Sequence, residues 1–358
     1  MSRVFVIAEA GVNHNGDPAR AADMIAAAAA AGADAIKFQT FTPERLAAAS
    51  APKAEYQKAT TAPEESQVEM LRRLSLARGD FRDLAAEARG RGLVFMSTAF
   101  DAESLEFLIS ELDVTPLKIA SGEITNAPFL RQHTLSGRPL LLSTGMASLG
   151  EIEFALGIIA HACLHPATPP RRREEVVEAW STSEGRAAVA GRVTLLHCVS
   201  AYPAPDASLD LRSIDTLRAT FGLPVGYSDH SEGITAAIAA VALGAPVIEK
   251  HFTLDRSLPG PDHAASLEPG ELTEMIRAIR RLELALGDGA KRIEAAERIN
   301  RPIGRRSLVA AQPICRGEPF TADNLTTKRP GGGRDPFDYW RLLGTPAPRD
   351  YAADEFID

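Results

Sequence analysis

The feature that most constrains this chain is a repeated alternation of short apolar runs with helical segments. The runs are Val4–Ala10, Ala35–Thr40, Val94–Phe100, Pro116–Ser121, Pro139–Gly145, Val193–Ser200, Pro224–Asp229 and Val247–Thr253, eight candidate strands. Each is mostly apolar on both faces, as parallel strands covered by helices must be. Asp17 and Pro18 read as an N-cap and first-turn proline opening an alanine-rich helix to about Ala31. Ser148 with Glu151 matches a capping box. Pro269 opens a helix with Leu272, Met275, Ile276, Ile279 and Leu282 at helical spacing. Eight β/α units in about 285 residues predict an α/β fold, a (β/α)8 barrel of the TIM type. A doubly wound open sheet accounts less well for the count.

Two segments break the rhythm. Leu164–Gly191 contains HPATPPRRREE, which cannot be core strand and reads as a surface insertion, a solvated loop with a short helix. After the eighth unit comes a charged stretch, Gly287–Arg305, and then a change of composition. A strand, a turn at Arg316–Gly317, a short helix capped by Thr321 and a glycine-rich loop predict a small second domain. The expected boundaries are a barrel over 1–286, a linker over 287–303 and a second domain over 304–358.

Composition narrows the partners. With 39 basic and 47 acidic residues the net charge is −8, which argues against nucleic acid but leaves an anionic small molecule open. Cys163, Cys198 and Cys315 form no C-x-x-C pair, so neither a zinc ribbon nor a disulfide framework is expected. The N-terminus turns polar too early for a signal peptide, and no apolar run approaches the ~20 residues of a membrane span. A reducing, bacterial-type cytoplasm is the expected compartment.

In a barrel of this type, side chains at the carboxyl ends of the strands face the active site. Strand one ends in Glu9, followed by Asn13, His14 and Asn15, and strand two carries Lys37 and Gln39. Strand three ends in Ser97 and Thr98; strand four holds Lys118 and runs into Ser121 and Glu123. Strand five ends at Ser143, and strand six gives His197 to Ser200, then Tyr202. Ser228, Asp229 and His230 end strand seven; Glu249, Lys250 and His251 end strand eight. Alternation puts Lys37 with Gln39, and Glu249 with His251, on shared faces.

A lysine in an apolar strand is costly to bury unpaired. Lys37 and Lys118, with Ser121, Ser143 and Ser228 nearby, suit a phosphate and a carboxylate together. The alternative pairs each lysine with Glu9 or Glu123. His230 and His251 end adjacent strands. As neutral imidazoles they can bind a divalent ion and leave positions open for water and substrate, or they are satisfied polar residues of the rim. The loop Leu258–His263 is a rigid turn that also places Asp262 over the mouth. Arg329 on pattern alone is a solvated charge.

The stretches IAEAGVNHNGD, IKFQTF, KAEYQ, FMSTAFD, KIASGEITN, LLSTGM, LLHCVSAYP, VGYSDHS, IEKHFTLD, PGPDH and LTTKRPGGG run in order across nearly the whole chain. At these residues the sequence resembles the sialic acid synthase family, which covers N-acetylneuraminate synthases and the related legionaminic and pseudaminic acid synthases. The resemblance implies a barrel joined to a C-terminal antifreeze-like (SAF) domain. It also implies a domain-swapped homodimer in which Arg329 helps hold the acyl-amino group of a sugar bound in the other subunit. Lys37, Thr98, Lys118, Ser121, Ser143 and Ser228 would hold phosphoenolpyruvate. Ser200 would do so at a position where many relatives have asparagine. Gln39, Tyr202 and Asp262 would face the sugar, Glu9 and Glu123 would lie close to the reacting carbons, and His230 and His251 would ligate Mn2+ or Mg2+.

The implied reaction joins phosphoenolpyruvate to an N-acyl mannosamine-type sugar. N-acetylmannosamine is the first expectation and 2,4-diacetamido-2,4,6-trideoxymannose the alternative; a pseudaminic acid precursor ranks lower. C3 of the enol phosphate attacks the aldehyde, water adds at C2, and phosphate leaves by C–O cleavage, with either Glu9 or Glu123 activating the water. Two departures bear on sugar choice or assembly: the loop KRPGGG lacks the asparagine frequent among relatives, and the Leu164–Gly191 insertion is longer than the family pattern leads one to expect. A Schiff-base aldolase would use Lys37 or Lys118 as nucleophile, and a phosphorylated-sugar synthase would need a further basic cluster. A carbohydrate- or ice-binding protein would not need the lysines, histidines and glutamates at the mouth.

Overall fold

The computed structural model describes residues 3–54, 57–58, 61 and 65–358, in two compact units, Met1–Gly287 and Asp288–Asp358. Glu55 and Tyr56 of the KAEYQ stretch lie outside the described residues.

In the first unit eight parallel strands close into a barrel in sequence order. They are β1 (Phe5–Gly11), β2 (Ala35–Thr40), β3 (Val94–Ala99), β4 (Leu117–Ile119), β5 (Leu140–Ser143), β6 (Val193–His197), β7 (Val225–Asp229) and β8 (Val247–His251). The helices that follow them are α1 (Pro18–Ala31), α2 (Arg78–Gly90), α3 (Ala102–Ser110), α4 (Ala127–Leu135), α5 (Leu149–Leu164), α6 (Ser213–Phe221), α7 (Thr235–Ala242) and α8 (Pro269–Leu286).

The helix signals act as the sequence predicts. The Asp17 carboxylate accepts from the Ala19 N–H at the start of α1. Ser148 and Glu151 satisfy each other's backbone N–H groups at the start of α5. Leu272, Met275, Ile276 and Ile279 of α8 are buried, each contributing roughly 1.5–3 kcal/mol by leaving water.

Several strands are shorter than expected, β4 most of all. The cause is local: Ser121–Glu123 winds into a 3-10 turn and takes the SGE segment out of the ladder. The insertion also differs. Instead of a solvated loop with one short helix, Arg173–Ser181 and Ser183–Ala190 form two helices that bury Val176, Ala179, Trp180 and Val189. Gly157 of α5 makes this close approach possible, since a Cβ there would lie 2.8 Å from the Val176 carbonyl oxygen. The spacing of Val176, Ala179 and Trp180 carried the signal, hidden beside the proline-arginine run.

Inside the barrel, Ile7, Ala35, Met96, Leu141, Leu196 and Val247 pack into an apolar floor. Gly226 of β7 belongs to this layer for want of space. A Cβ there would fall 2.6 Å from the Val247 carbonyl oxygen and 2.7 Å from Leu196 Cδ2.

In the second unit, β9 (Ser307–Ala310) pairs antiparallel with β10 (Leu325–Lys328) over a core that includes Leu308, Ile314, Phe320 and Tyr351. The turn at Arg316–Gly317 is present, with Gly317 at φ +85°. The expected Thr321-capped helix is instead a hydrogen-bonded turn feeding β10. Asn324 N–H donates to Thr321 Oγ1 at 3.3 Å and Thr321 N–H to Asn324 Oδ1 at 2.7 Å, closing the turn after four residues. The stretch expected as linker carries two short exposed helices, Ala295–Arg298 and Arg301–Gly304. Among the described residues no helix is long and apolar enough to cross a membrane.

The packed floor makes a stability prediction. Gly226→Ala should lower the unfolding free energy in urea by about 1–3 kcal/mol through overpacking. An unchanged midpoint would show that the floor has slack.

Candidate active site

Two residues beyond the apolar floor, the same faces of the strands turn polar. Register sets the neighbours: Glu9 is level with Lys37 on one side and His251 on the other. Thr98 is level with Gln39 and Lys118, and Ser228 with Glu249. The result is a cavity of about 540 Å³ whose wall includes Glu9, Lys37, Gln39, Thr98, Lys118, Ser121, Ser143, Ser200, Tyr202, Ser228, His230, Glu249 and His251.

The two lysines are buried and share a carboxylate. Lys37 Nζ lies 2.7 Å from Glu9 Oε2 and 3.5 Å from Glu249 Oε2, and donates to Thr98 Oγ1 at 2.9 Å. Lys118 Nζ lies 3.4 Å from Glu249 Oε1, which also accepts from the Ser228 hydroxyl at 2.8 Å. Burial opposes the charge on Glu249, but Lys118 and Lys37 outweigh it and hold this carboxyl well below the usual carboxylate range. Glu9 goes the other way. Burial pushes its carboxyl up to about 7 against the pull of Lys37. So Glu249 stays ionised while Glu9 can gain or lose a proton near neutrality.

Sequence reasoning placed Glu249 on the right face and gave it no role. The geometry makes it the common partner of both lysines and of Ser228. Glu9 is a lysine partner too; Glu123 is not. The signal was the alternation in IEKH, which sets Glu249 beside His251 on the lumen side.

Around the lysines stand hydroxyls. Ser143 Oγ is buried with no hydrogen-bond partner among the described residues. Ser121 Oγ accepts from the Gly145 N–H at 3.0 Å. Gly145 is needed here, since a Cβ would come 2.4 Å from Ser200 Oγ and 2.9 Å from Ser121 Oγ. The Ser143 hydroxyl is thus free to donate to an oxyanion, whereas Ser121 Oγ also has Cys198 Sγ within hydrogen-bond reach at 3.2 Å.

The imidazoles meet across the cavity, with His230 and His251 ring centres 5.6 Å apart. His230 Nδ1 lies 2.7 Å from the Val199 carbonyl oxygen, which can only accept, so Nε2 carries the lone pair. His251 Nδ1 is buried without a hydrogen-bond partner, and the nearest carboxylate, Asp262 Oδ2, is 3.9 Å away. Burial lowers His230 to about 4 and His251 well below its ordinary value, so both are neutral and able to ligate. Among the described residues no third His, Cys, Asp or Glu completes a cluster. A divalent cation held by these two imidazoles alone would keep its other positions open for ligand oxygens, unlike a closed structural site.

Three expected residues stand apart from this wall. Asp262 lines an adjoining recess with Gln39, Tyr202 and His251, and burial pushes its carboxyl up to about 6. Glu123 is not on the cavity wall. It is half-buried in the turn after β4, and its carboxylate accepts from Asn126 Nδ2 at 2.7 Å. Arg329 is an exposed residue of the second unit, directly after β10.

Fold and lining define a (β/α)8 barrel protein with a cavity of lysines, hydroxyls, carboxylates and imidazoles at the carboxyl mouth. The chain belongs to the NeuB family, whose model matches residues 24–291; a SAF-domain model matches residues 305–358. It is similar to the N,N'-diacetyllegionaminic acid synthase of Campylobacter jejuni, 44% identical over 357 residues, covering 100% of this chain and 99% of the relative. The N,N'-diacetyllegionaminic acid synthase of Legionella pneumophila is 42% identical over 342 residues, covering 95% and 89%. Among solved structures, the N-acetylneuraminic acid (sialic acid) synthetase of Leptospira borgpetersenii superimposes with a TM-score of 0.66 at 34% identity, covering 84% of this chain and 90% of that one.

Glu249→Gln would leave two buried ammonium groups with Glu9 alone. The unfolding free energy should fall by about 3 kcal/mol, and millimolar inorganic phosphate should restore much of it by taking the carboxylate's place. A variant as stable as the parent, or one indifferent to phosphate, would contradict this account of the lysines.

Proposed function

We propose that this chain condenses phosphoenolpyruvate with 2,4-diacetamido-2,4,6-trideoxymannose, forming N,N'-diacetyllegionaminic acid and releasing phosphate. The observation that carries the reaction class is the cavity in which Lys37, Lys118 and the unpartnered Ser143 hydroxyl share a wall with two neutral imidazoles. The sequence alone favoured N-acetylmannosamine. The names of the two relatives above support the diacetamido sugar instead, and the sialic acid synthetase is the less similar of the three.

Lys37 and Lys118, with Thr98, Ser121, Ser143, Ser200 and Ser228, bind the phosphate and carboxylate of the enol phosphate. Gln39, Tyr202 and Asp262 face the sugar. C3 of phosphoenolpyruvate forms a bond to the aldehyde carbon, leaving C2 electron-poor. Water adds at C2 and the C2–O bond breaks, so phosphate departs with the bridging oxygen. Glu9 takes the proton of that water, because its carboxyl titrates near 7 inside the cavity whereas Glu123 is held by Asn126. His230 and His251 would hold Mn2+ or Mg2+, which when bound supplies Lewis acidity toward the aldehyde oxygen. Lys37 and Lys118 are offset by Glu249 and, when ionised, Glu9. The protein's own charges thus nearly cancel, and a bound cation would balance the incoming trianion. The chain acts as a homodimer in which Arg329 of one protomer reaches the sugar bound by its partner; the family resemblance supports this.

Phosphate release with Mn2+ tests the reading directly. kcat/KM should be at least tenfold higher for the diacetamido sugar than for N-acetylmannosamine. The reverse preference sinks the sugar assignment, and no release with either sinks the reaction class. Oxygen-18 in the bridging position should appear in phosphate. Chelation and His251→Ala should each abolish turnover; full activity in either would remove the cation.

A further inference from the structure

Behind the two imidazoles lies a second arrangement that faces away from the lumen. Asp229 and Lys250 are level with each other on β7 and β8, and each immediately precedes a histidine of the site. Their side chains are fully buried, with Lys250 Nζ 2.9 Å from Asp229 Oδ2. Lys250 Nζ also donates to the Ser231 carbonyl at 2.5 Å. Asp229 Oδ1 accepts from both the Ser231 N–H, at 2.9 Å, and its hydroxyl, at 2.6 Å. The backbone on either side of His230 is thereby tied to a side chain rooted next to His251.

Replacing such a buried pair by apolar groups is often neutral for stability, so stability alone is a poor reason to keep it. Its geometric effect is specific. It fixes the His230 turn relative to β8, while Val199 fixes the His230 ring. We propose that Lys250 and Asp229 are positioning residues that set the separation of His230 and His251 for a divalent cation. The inference rests on the cation reading given above. Neither residue touches the cation; both act through the backbone of the ligands.

The test is a Mn2+ titration of the full chain, read by electron paramagnetic resonance without substrates. The double variant Asp229→Leu with Lys250→Met keeps much of the volume and removes the strap without leaving a buried charge unpaired. Its Kd for Mn2+ should rise tenfold or more, as for other groups that orient ligands, with little change in Tm. Asp229→Asn keeps the acceptor for Ser231 and should give a smaller rise; it carries the test if the double variant does not fold. An unchanged Kd in a folded variant overturns the inference and leaves the cation reading intact. A weakened Kd matched by a large fall in Tm assigns the pair to stability alone and also overturns it. If the unaltered chain binds Mn2+ no better than His251→Ala, the cation reading falls and the inference with it.

Discussion

Two ammonium groups in one buried lumen repel each other, and each loses its hydration on entering. The carboxylate of Glu249 makes both tolerable by lying between them and taking the Ser228 hydroxyl as well. Much of the site follows from this bridge. Lys37 is left with Glu9 and Thr98 as further partners, and Glu9 is left in a setting where burial, not an extra cation, decides its proton. An oxyanion entering this cavity meets lysines already aimed and already desolvated. The cost of preparing them falls on folding rather than on binding.

The bridge depends in turn on register. Glu9 with Lys37 and His251, and Ser228 with Glu249, are level because the barrel's hydrogen-bond ladder makes them so. A slip of one residue in β8 would turn Glu249 and His251 outward and Lys250 inward. The alternation that aims Glu249 at the cavity aims Lys250 at Asp229. One strand therefore serves the site with one face and braces it with the other.

The barrel, its eight strands and the residues on its mouth were legible because period-two alternation and apolar runs are local signals. What escaped the sequence was pairing across distance. Lys37 and Lys118 stand out as lysines in apolar strands, yet nothing local says that Glu249 rather than Glu123 is shared between them. The strand at Lys118 was expected to run through Ser121. The turn at Ser121–Glu123 ends it early, and that carries Glu123 off the wall. The packed helices of the insertion were missed because a proline-arginine run dominated the reading of a segment whose apolar residues follow it. Thr321 has the chemistry of a helix cap, but Asn324 reciprocates within four residues and converts the cap into a turn.

The apolar floor has a consequence for traffic. With Gly226 reduced to bare backbone, Leu196 and Val247 of the flanking strands close in over it, and the apolar layer fills the lumen on the amino side of the cavity. The layer directly above this floor is the one that holds Lys37, Glu9 and Glu249. Whatever seats itself near the rim stands in the path of anything, solvent included, bound for the bottom.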